Sequence, residues 1–350
     1  MGSSIILFLI IAVLFLFARP SLFSKKALLP KVQQQVQATN PTPVVSSPVV
    51  TAPQLAIAIA ALQKRTYSPV ALTTVQTIPG GTHFSSQIIS FVVDGYREYA
   101  RVDMPTTAKP QNGYPIMLLD HGYVVPSQYS TINSYAGIED FFAANGYIVV
   151  KPDYRGNGNS QGSEDALARY NYPVDVMTLL VSLKNIPSAD TSKICLWGHS
   201  MGGEVTLTVL EILGSKQSLG KNVKAAVLWA PVTDPAKWFS EPNLSRIPEA
   251  KLTPFPYTKT FQILGQPSES SPIWQSINPL NFLTSITVPI QINHGTGDTT
   301  VAYSSSQDLV QKLQSAGKVV NFISYPNADH NLNPDETEAL ENNFKFFQSH

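Results

Sequence analysis

The chain has 350 residues, with 24 basic and 24 acidic side chains and no net formal charge at pH 7. Its 43% hydrophobic and 14% charged residues are typical of a folded protein with a large buried sheet and exclude a mainly disordered chain. The balanced charge and the lack of a basic, aromatic-interleaved stripe argue against nucleic acid as a partner. A single cysteine, Cys195, excludes a disulfide within the chain.

Residues 1–23 are interpreted as an N-terminal membrane anchor or signal segment. Residues 1–18 carry no charged side chain, which is close to the shortest stretch that spans a bilayer. No charged residue precedes the apolar core and no small-x-small site follows it closely, so we favour an uncleaved anchor over a signal peptide. The basic residues that follow favour a cytoplasmic catalytic domain. The next segment favours an extracytoplasmic catalytic domain, and we adopt this second interpretation.

That next segment, residues 24–70, is interpreted as a linker rich in proline, glutamine and valine. Its composition between residues 33 and 54 cannot bury a core and is typical of an extended stalk. Residues 55–64 are rich in alanine and predict a helix that packs on the following domain or connects to it. The remaining residues, 71–350, are expected to form one domain.

The domain is predicted to begin with a hairpin. Residues 87–93 and 96–104 alternate in polarity around Asp94-Gly95, a pair typical of a tight turn, and would form an antiparallel edge of the sheet. From residue 114 onward, strands and helices alternate, which predicts a parallel sheet with helices on both faces. The predicted strands are 114–119, 147–151, 193–197, 223–230, one starting at Ile290, and 319–325. The predicted helices are 132–145, 164–186 with a break at Pro173, 204–213, 304–316 and 334–349.

The most informative motif is Gly198-His199-Ser200-Met201-Gly202, between a predicted strand and a predicted helix. A sharp strand-to-helix turn presses backbone against backbone, so side chains at Gly198 and Gly202 would collide with it. Ser200 would then stand on a strained turn with its hydroxyl exposed. The N–H groups at the start of the following helix would favour an anion at the same place.

Two further residues complete the pattern. Asp298 follows the strand that starts at Ile290, and His330 follows the strand predicted over 319–325. A serine, an aspartate and a histidine in this chain order, each just past a strand, are typical of an α/β-hydrolase.

The chain resembles the α/β-hydrolase superfamily, and within it the prolyl-oligopeptidase-like (S9-type) and dienelactone-hydrolase-like serine hydrolases. The resemblance covers residues 87–350. It implies a mostly parallel sheet with an antiparallel N-terminal edge hairpin and a small insertion between the last strands. Its motifs are Asp120-His121-Gly122-Tyr123, Asp153-Tyr154-Arg155-Gly156, the serine motif extended to Gly203, His294-Gly295-Thr296-Gly297-Asp298 and Asp329-His330.

In such a fold Ser200 is expected to be the nucleophile, His330 the base and Asp298 the acid that orients the base. Asp234 is the alternative acid, because some members of the superfamily place it after the preceding strand. The backbone N–H groups of Met201 and Tyr123 are expected to form the oxyanion hole, with the Tyr123 hydroxyl as an alternative donor.

Arg155 allows two interpretations, a salt bridge with a buried carboxylate, which we favour, and a contact with a substrate carboxylate.

Residues 234–283 interrupt the alternation and are rich in proline and aromatic side chains. A segment of this length between two strands is usually functional or partly folded. We interpret it as a cap whose Trp238, Phe239 and Trp274 line an apolar substrate pocket. The alternative is that these side chains only pack the insertion against the body of the domain.

The residues predict a serine hydrolase that cleaves carboxylic esters through an acyl-enzyme, acting on a small-molecule ester or a short peptide. Peptidases of the resembled family usually carry a β-propeller ahead of the hydrolase domain, and the residues before Gln87 are too few for one, which favours esters. A prolyl-oligopeptidase-like peptidase and a non-catalytic binding protein on the same fold remain the alternatives. No metal-binding or nucleotide-binding motif is found, so no metal and no cofactor are expected. The oligomeric state is not predicted.

Overall fold

The computed structural model describes residues 52–240, 245, 247, 251–252 and 255–350, which are built around a nine-stranded sheet. The strands are β1 (Thr73–Ile78), β2 (Phe84–Val93), β3 (Tyr96–Pro105), β4 (Tyr114–Asp120), β5 (Ile148–Pro152), β6 (Ala189–His199), β7 (Val223–Trp229), β8 (Ile290–Gly295) and β9 (Val320–Tyr325). Their order in the sheet is β1-β2-β3-β5-β4-β6-β7-β8-β9. The pairings from β5 to β9 are parallel, and those among β1, β2, β3 and β5 are antiparallel.

Helices cover both faces of the sheet. They are α1 (Ala52–Ala56), α2 (Ile59–Lys64), α3 (Ala136–Ala144), α4 (Ala168–Ser182), α5 (Met201–Gly214), α6 (Gln217–Gly220), α7 (Pro235–Phe239), α8 (Thr258–Leu264), α9 (Pro272–Ser276), α10 (Tyr303–Ser315) and α11 (Glu336–Gln348). Alternate side chains of one strand enter different cores: Leu118 of β4 packs with residues of α4, α5 and α10, and Leu119 packs with residues of α3 and α11. The predicted α/β-hydrolase architecture is therefore confirmed.

The hairpin is present, but it is not the edge of the sheet. Its two strands, β2 and β3, pair in register around Asp94-Gly95, and both turn residues have positive φ angles of 51° and 86°. β1 adds a further antiparallel strand outside β2 and is the true edge. The sequence gives no sign of β1, because five of its six residues are exposed and only Ile78 is buried, so apolar and polar residues do not alternate.

The break predicted at Pro173 is wrong. Helix α4 runs through Pro173, which is the sixth of its 15 residues. A proline lacks the amide hydrogen for the bond to the carbonyl four residues earlier, here that of Arg169, so one bond of the ladder is lost. Buried side chains later in the helix, including Val176 and Leu180, hold it in the core and compensate for this loss.

The residues assigned to the linker include folded structure. Helices α1 and α2 lie between residues 52 and 64, and the buried side chains of Ile59 and Leu62 anchor α2, which packs against α5. Structure packed on α5 thus begins before the boundary expected at residue 70. The proposed anchor at residues 1–23 lies outside the described residues. In the part of the chain that the structure describes, no helix is both long and apolar enough to cross a bilayer.

Candidate active site

The turn between β6 and α5 carries Ser200 in a strained conformation. Its φ and ψ angles are 56° and −118°, a combination that a residue with a side chain rarely adopts. Backbone bonds hold it there, since its N–H donates to the Trp229 carbonyl at 2.9 Å and its carbonyl accepts from the Val232 N–H at 2.9 Å. Strain retained in this way is typical of functional sites.

The flanking glycines are required for the reason that the motif predicts. A Cβ atom at Gly202 would lie 1.9 Å from the Asp120 carbonyl oxygen, and one at Gly198 would lie 2.3 Å from the Thr206 hydroxyl oxygen. The first contact is with the backbone of β4, which cannot move away without disrupting the sheet. The turn at Ser200 therefore packs directly against the end of the neighbouring strand.

We expect Gly202→Ala to lower the free energy of unfolding by more than about 3 kcal/mol, because its methyl group would overlap the backbone of β4. Gly137→Ala is the matched control, since Gly137 also lies in a helix but a Cβ atom there has no atom within 4 Å. That variant should be neutral or stabilised by about 0.5–1 kcal/mol. Urea unfolding of both variants measures the difference, and equal stabilities would contradict the packing described here.

Asp298 and His330 meet at the ends of β8 and β9. The Asp298 Oδ2 atom lies 2.7 Å from His330 Nδ1 and 3.1 Å from His294 Nε2. Its Oδ1 atom accepts the backbone N–H groups of Thr300 at 2.7 Å and Val301 at 3.0 Å. The Asp298 side chain is fully buried, whereas the His330 side chain is 17% exposed. The carboxylate is thus fixed from both sides while the imidazole remains open to the cavity.

These contacts control the charge of Asp298. Burial by itself raises the pKa of a carboxyl group, but the hydrogen bonds from His294 and His330 outweigh it and hold the Asp298 pKa below its usual range. Asp298 is therefore an ionised acceptor at neutral pH, and His330 Nδ1 is the atom that donates to it. His294 is held in turn by Ser306, whose hydroxyl lies 2.7 Å from its Nδ1 atom.

The alternative acid is placed elsewhere. The Asp234 Oδ1 atom accepts the Lys237 N–H at 2.9 Å and caps the N-terminus of α7. Asp329, next to His330 in sequence, accepts the N–H groups of Asn331 and Asn333, both at 2.9 Å, and so closes its own loop. Of the acids considered from sequence, Asp298 is the one that the structure brings to His330.

A cavity of about 280 Å³ joins the candidate residues. Ser200, Met201, His330, Tyr123 and Trp238 are among the residues that line it. The loop after β4 runs close to the serine, since a Cβ atom at the preceding Gly122 would lie 3.1 Å from the Ser200 Cβ atom. The residues expected to supply the nucleophile, the base and the oxyanion hole therefore share one cavity.

The aromatic residues of the insertion divide into two groups. Trp238 lines the cavity. Phe239 and Trp274 do not, because they are 2% and 0% exposed and pack against each other, with ring centroids 6.4 Å apart, in a core that the insertion shares with Leu167 and Tyr170. The expectation that all three line the pocket thus fails for two of them, which pack the insertion against the body of the domain, as the alternative interpretation holds.

Arg155 forms the expected structural salt bridge. Its Nη2 atom lies 2.5 Å from Asp175 Oδ1, and its Nη1 atom lies 3.1 Å from Asp165 Oδ2. Both the guanidinium and the Asp175 carboxylate are buried, so this pair braces the loop after β5 against α4. The interpretation of Arg155 as a brace is confirmed.

Sequence analysis missed a buried ion pair at the cavity wall. Arg169 of α4 lines the cavity, and its Nη2 atom lies 2.6 Å from the Glu204 Oε2 atom of α5. The guanidinium also lies over the Phe239 ring, 5.1 Å from its centroid. Nothing in the sequence pairs two residues 35 positions apart on different helices, so no local signal could have identified this contact.

The sheet order, the strained serine at the end of β6 and the buried aspartate–histidine pair define an α/β-hydrolase. The sequence profile described as the prolyl oligopeptidase family matches residues 133–350. The chain belongs to this family and is a serine hydrolase.

Individual relatives agree with this assignment. The chain is 26% identical over 253 residues to the probable dipeptidyl-aminopeptidase B of Uncinocarpus reesii, an alignment that covers 69% of this chain and 25% of that protein. It therefore spans about a quarter of the length of this relative. It is also 26% identical over 201 residues to the uncharacterized peptidase YtmA of Bacillus subtilis, covering 57% of this chain and 70% of that protein.

Among solved structures, acetyl xylan esterase 1 from Thermoanaerobacterium sp. has a similar fold, with a TM-score of 0.58 and 18% sequence identity. The alignment covers 83% of this chain and 93% of that one. At 18% identity, this similarity is evidence for a shared fold alone.

Proposed function

We propose that this chain hydrolyses carboxylic esters of small acyl groups, with Ser200, His330 and Asp298 as its catalytic triad. The observation that carries the proposal is the 2.7 Å contact between the buried Asp298 carboxylate and His330 Nδ1, in a cavity that His330 shares with Ser200. Because Nδ1 donates to Asp298, the Nε2 atom of His330 is the one that can accept a proton.

In the proposed reaction, Ser200 Oγ attacks the ester carbonyl carbon while its proton moves to His330 Nε2. The negative charge on the carbonyl oxygen is stabilised by the N–H groups of Met201 and Tyr123, and each such donor contributes about 3 kcal/mol in well-studied hydrolases. The bond to the alcohol oxygen then breaks, and His330 gives its proton to the departing alcohol. Water, activated by His330, attacks the acyl-enzyme in the same way and releases the acid.

The size of the cavity supports a small acyl group. Its volume of about 280 Å³ lies just below the range of about 300–1,000 Å³ that is usual for ligand sites. Among the described residues that line the cavity, Arg169 is charged and is neutralised by Glu204, so these residues supply no net charge to select acidic acyl groups.

Peptide hydrolysis is the second candidate, and the family itself favours it. The name of the matched family and those of the two relatives given above refer to peptidases. The same catalytic residues can cleave an ester or an amide, so the choice between the two depends on the leaving group.

A panel of p-nitrophenyl esters and aminoacyl-p-nitroanilides separates the two candidates. We expect kcat/KM for p-nitrophenyl acetate and butyrate to exceed that of the best anilide by at least about a hundredfold, which is about 2.7 kcal/mol in activation free energy. The small cavity also predicts poor turnover of the laurate ester. Anilide turnover equal to that of the esters would overturn the preference for esters and favour the peptidase.

A further inference from the structure

A chain of hydrogen bonds lies behind Ser200 and connects three separate segments. The Gly122 N–H, in the loop after β4, donates to the Tyr135 hydroxyl at 2.8 Å. The same hydroxyl lies 2.6 Å from His199 Nδ1. The His199 Nε2 atom lies 3.0 Å from the backbone carbonyl oxygen of His330. These hydrogen bonds thus link the loop of the proposed oxyanion hole to the proposed base.

The direction of every bond in this chain is determined. A carbonyl oxygen can only accept, so His199 carries its proton on Nε2 and donates it to His330. His199 Nδ1 is then an acceptor, and the Tyr135 hydroxyl donates to it while accepting from Gly122. Burial, together with the nearby His330, lowers the pKa of His199 to about 3, so the ring stays neutral at working pH.

The series of hydrogen bonds reaches both sides of Ser200. Gly122 directly precedes Tyr123, whose N–H is proposed for the oxyanion hole, and it has no room to move toward the site. A Cβ atom there would lie 2.6 Å from the Tyr135 hydroxyl oxygen and 3.1 Å from the Ser200 Cβ atom. Tyr135 itself has a φ angle of 67°, a left-handed conformation that is costly for a tyrosine. The fold therefore accepts strain at the residue that joins the two loops.

We propose that Tyr135 and His199 are positioning residues that hold the Tyr123 amide and the His330 imidazole at a fixed spacing around Ser200, an inference that rests on the proposed function. Neither side chain takes part in bond making or proton transfer. Loss of the Tyr135 hydroxyl would release the oxyanion loop on one side and His199 on the other. Because a displacement of about 1 Å in such a site can cost about a hundredfold in rate, the effect should fall on kcat.

The test compares Tyr135→Phe, His199→Gln and the double variant with the unmodified protein, using p-nitrophenyl acetate turnover and the rate of inactivation by a fluorophosphonate. The proposal predicts a fall in kcat and in inactivation rate of about 10- to 100-fold for Tyr135→Phe, with KM within about threefold. Glutamine can keep the donor to the His330 carbonyl, so His199→Gln should lose less. The double variant should be no slower than the slower single variant, because both changes interrupt the same series of hydrogen bonds.

Tyr129→Phe is the matched control. The Tyr129 hydroxyl also makes a buried 2.6 Å hydrogen bond, but its partner is Asp153, which is outside the series that joins Gly122 to His330. Tyr129→Phe should lower the melting temperature as much as Tyr135→Phe does and leave kcat within about twofold. If the unmodified protein reacts and Tyr135→Phe matches its kcat, or if Tyr129→Phe slows turnover equally, the positioning role is wrong and the proposed function stands. If the unmodified protein neither turns over the ester nor reacts with the fluorophosphonate, the proposed function fails and this inference fails with it.

Discussion

We expect Asp298→Asn to lower kcat for ester hydrolysis by about 10³- to 10⁴-fold, the size of effect known for such a change in other triads. The reason lies in how the side chain is held. Its Oδ1 atom accepts two backbone N–H groups, from Thr300 and Val301, and an asparagine oxygen can keep both bonds. The asparagine NH₂ group must then replace Oδ2 and face His330 Nδ1 as a donor. His330 is forced to carry its proton on Nε2 and can no longer accept one from Ser200.

Asp234→Asn is the matched control for this prediction. Asparagine caps a helix as well as aspartate does, so the cap on α7 should be preserved and kcat should stay within about threefold. Steady-state kinetics with p-nitrophenyl acetate measure both variants. A large loss in Asp234→Asn together with a small loss in Asp298→Asn would show that the acid has been assigned to the wrong strand end.

Ser200→Ala is expected to remove about 10⁵- to 10⁶-fold of kcat, since only binding and oxyanion stabilisation would remain. The protein should still fold, because the bonds that hold residue 200 at the turn are made by its backbone N–H and carbonyl. Binding should therefore change little, and a competitive inhibitor should bind the variant and the unmodified protein alike.

Ser270→Ala, at an exposed position of the insertion, controls for the loss of a serine hydroxyl and should keep full activity. Ester turnover that survives in Ser200→Ala at more than about a hundredth of the original rate would exclude Ser200 as the nucleophile.

The parts of the site that follow chain order could be predicted from the sequence. Glycines at 198 and 202 are required by a local backbone crossing, so the turn at Ser200 could be read directly from the motif. Asp298 and His330 each follow a strand, and parallel strands bring their carboxyl ends to one edge of the sheet. The preference for Asp298 over Asp234 agrees with the contact that the structure places at His330.

Other parts depend on contacts between distant elements and leave no local signal. Tyr135 touches His199, 64 residues later in the chain, from a left-handed conformation that no propensity indicates. Pro173 is tolerated inside α4 because of the core around it, whereas propensity alone favours a break. Trp274 has the aromatic character expected of a pocket residue and is instead buried between the insertion and α4, since apolar character alone does not distinguish these two roles.

The most direct test of the account is to treat the protein with a fluorophosphonate, digest it and locate the adduct by mass spectrometry. We expect a single phosphonyl group on the peptide that contains Ser200, formed faster at pH 7 in the unmodified protein than in Asp298→Asn. An adduct on a different serine, or no adduct in a folded sample, would contradict the claim that Ser200 is the activated nucleophile.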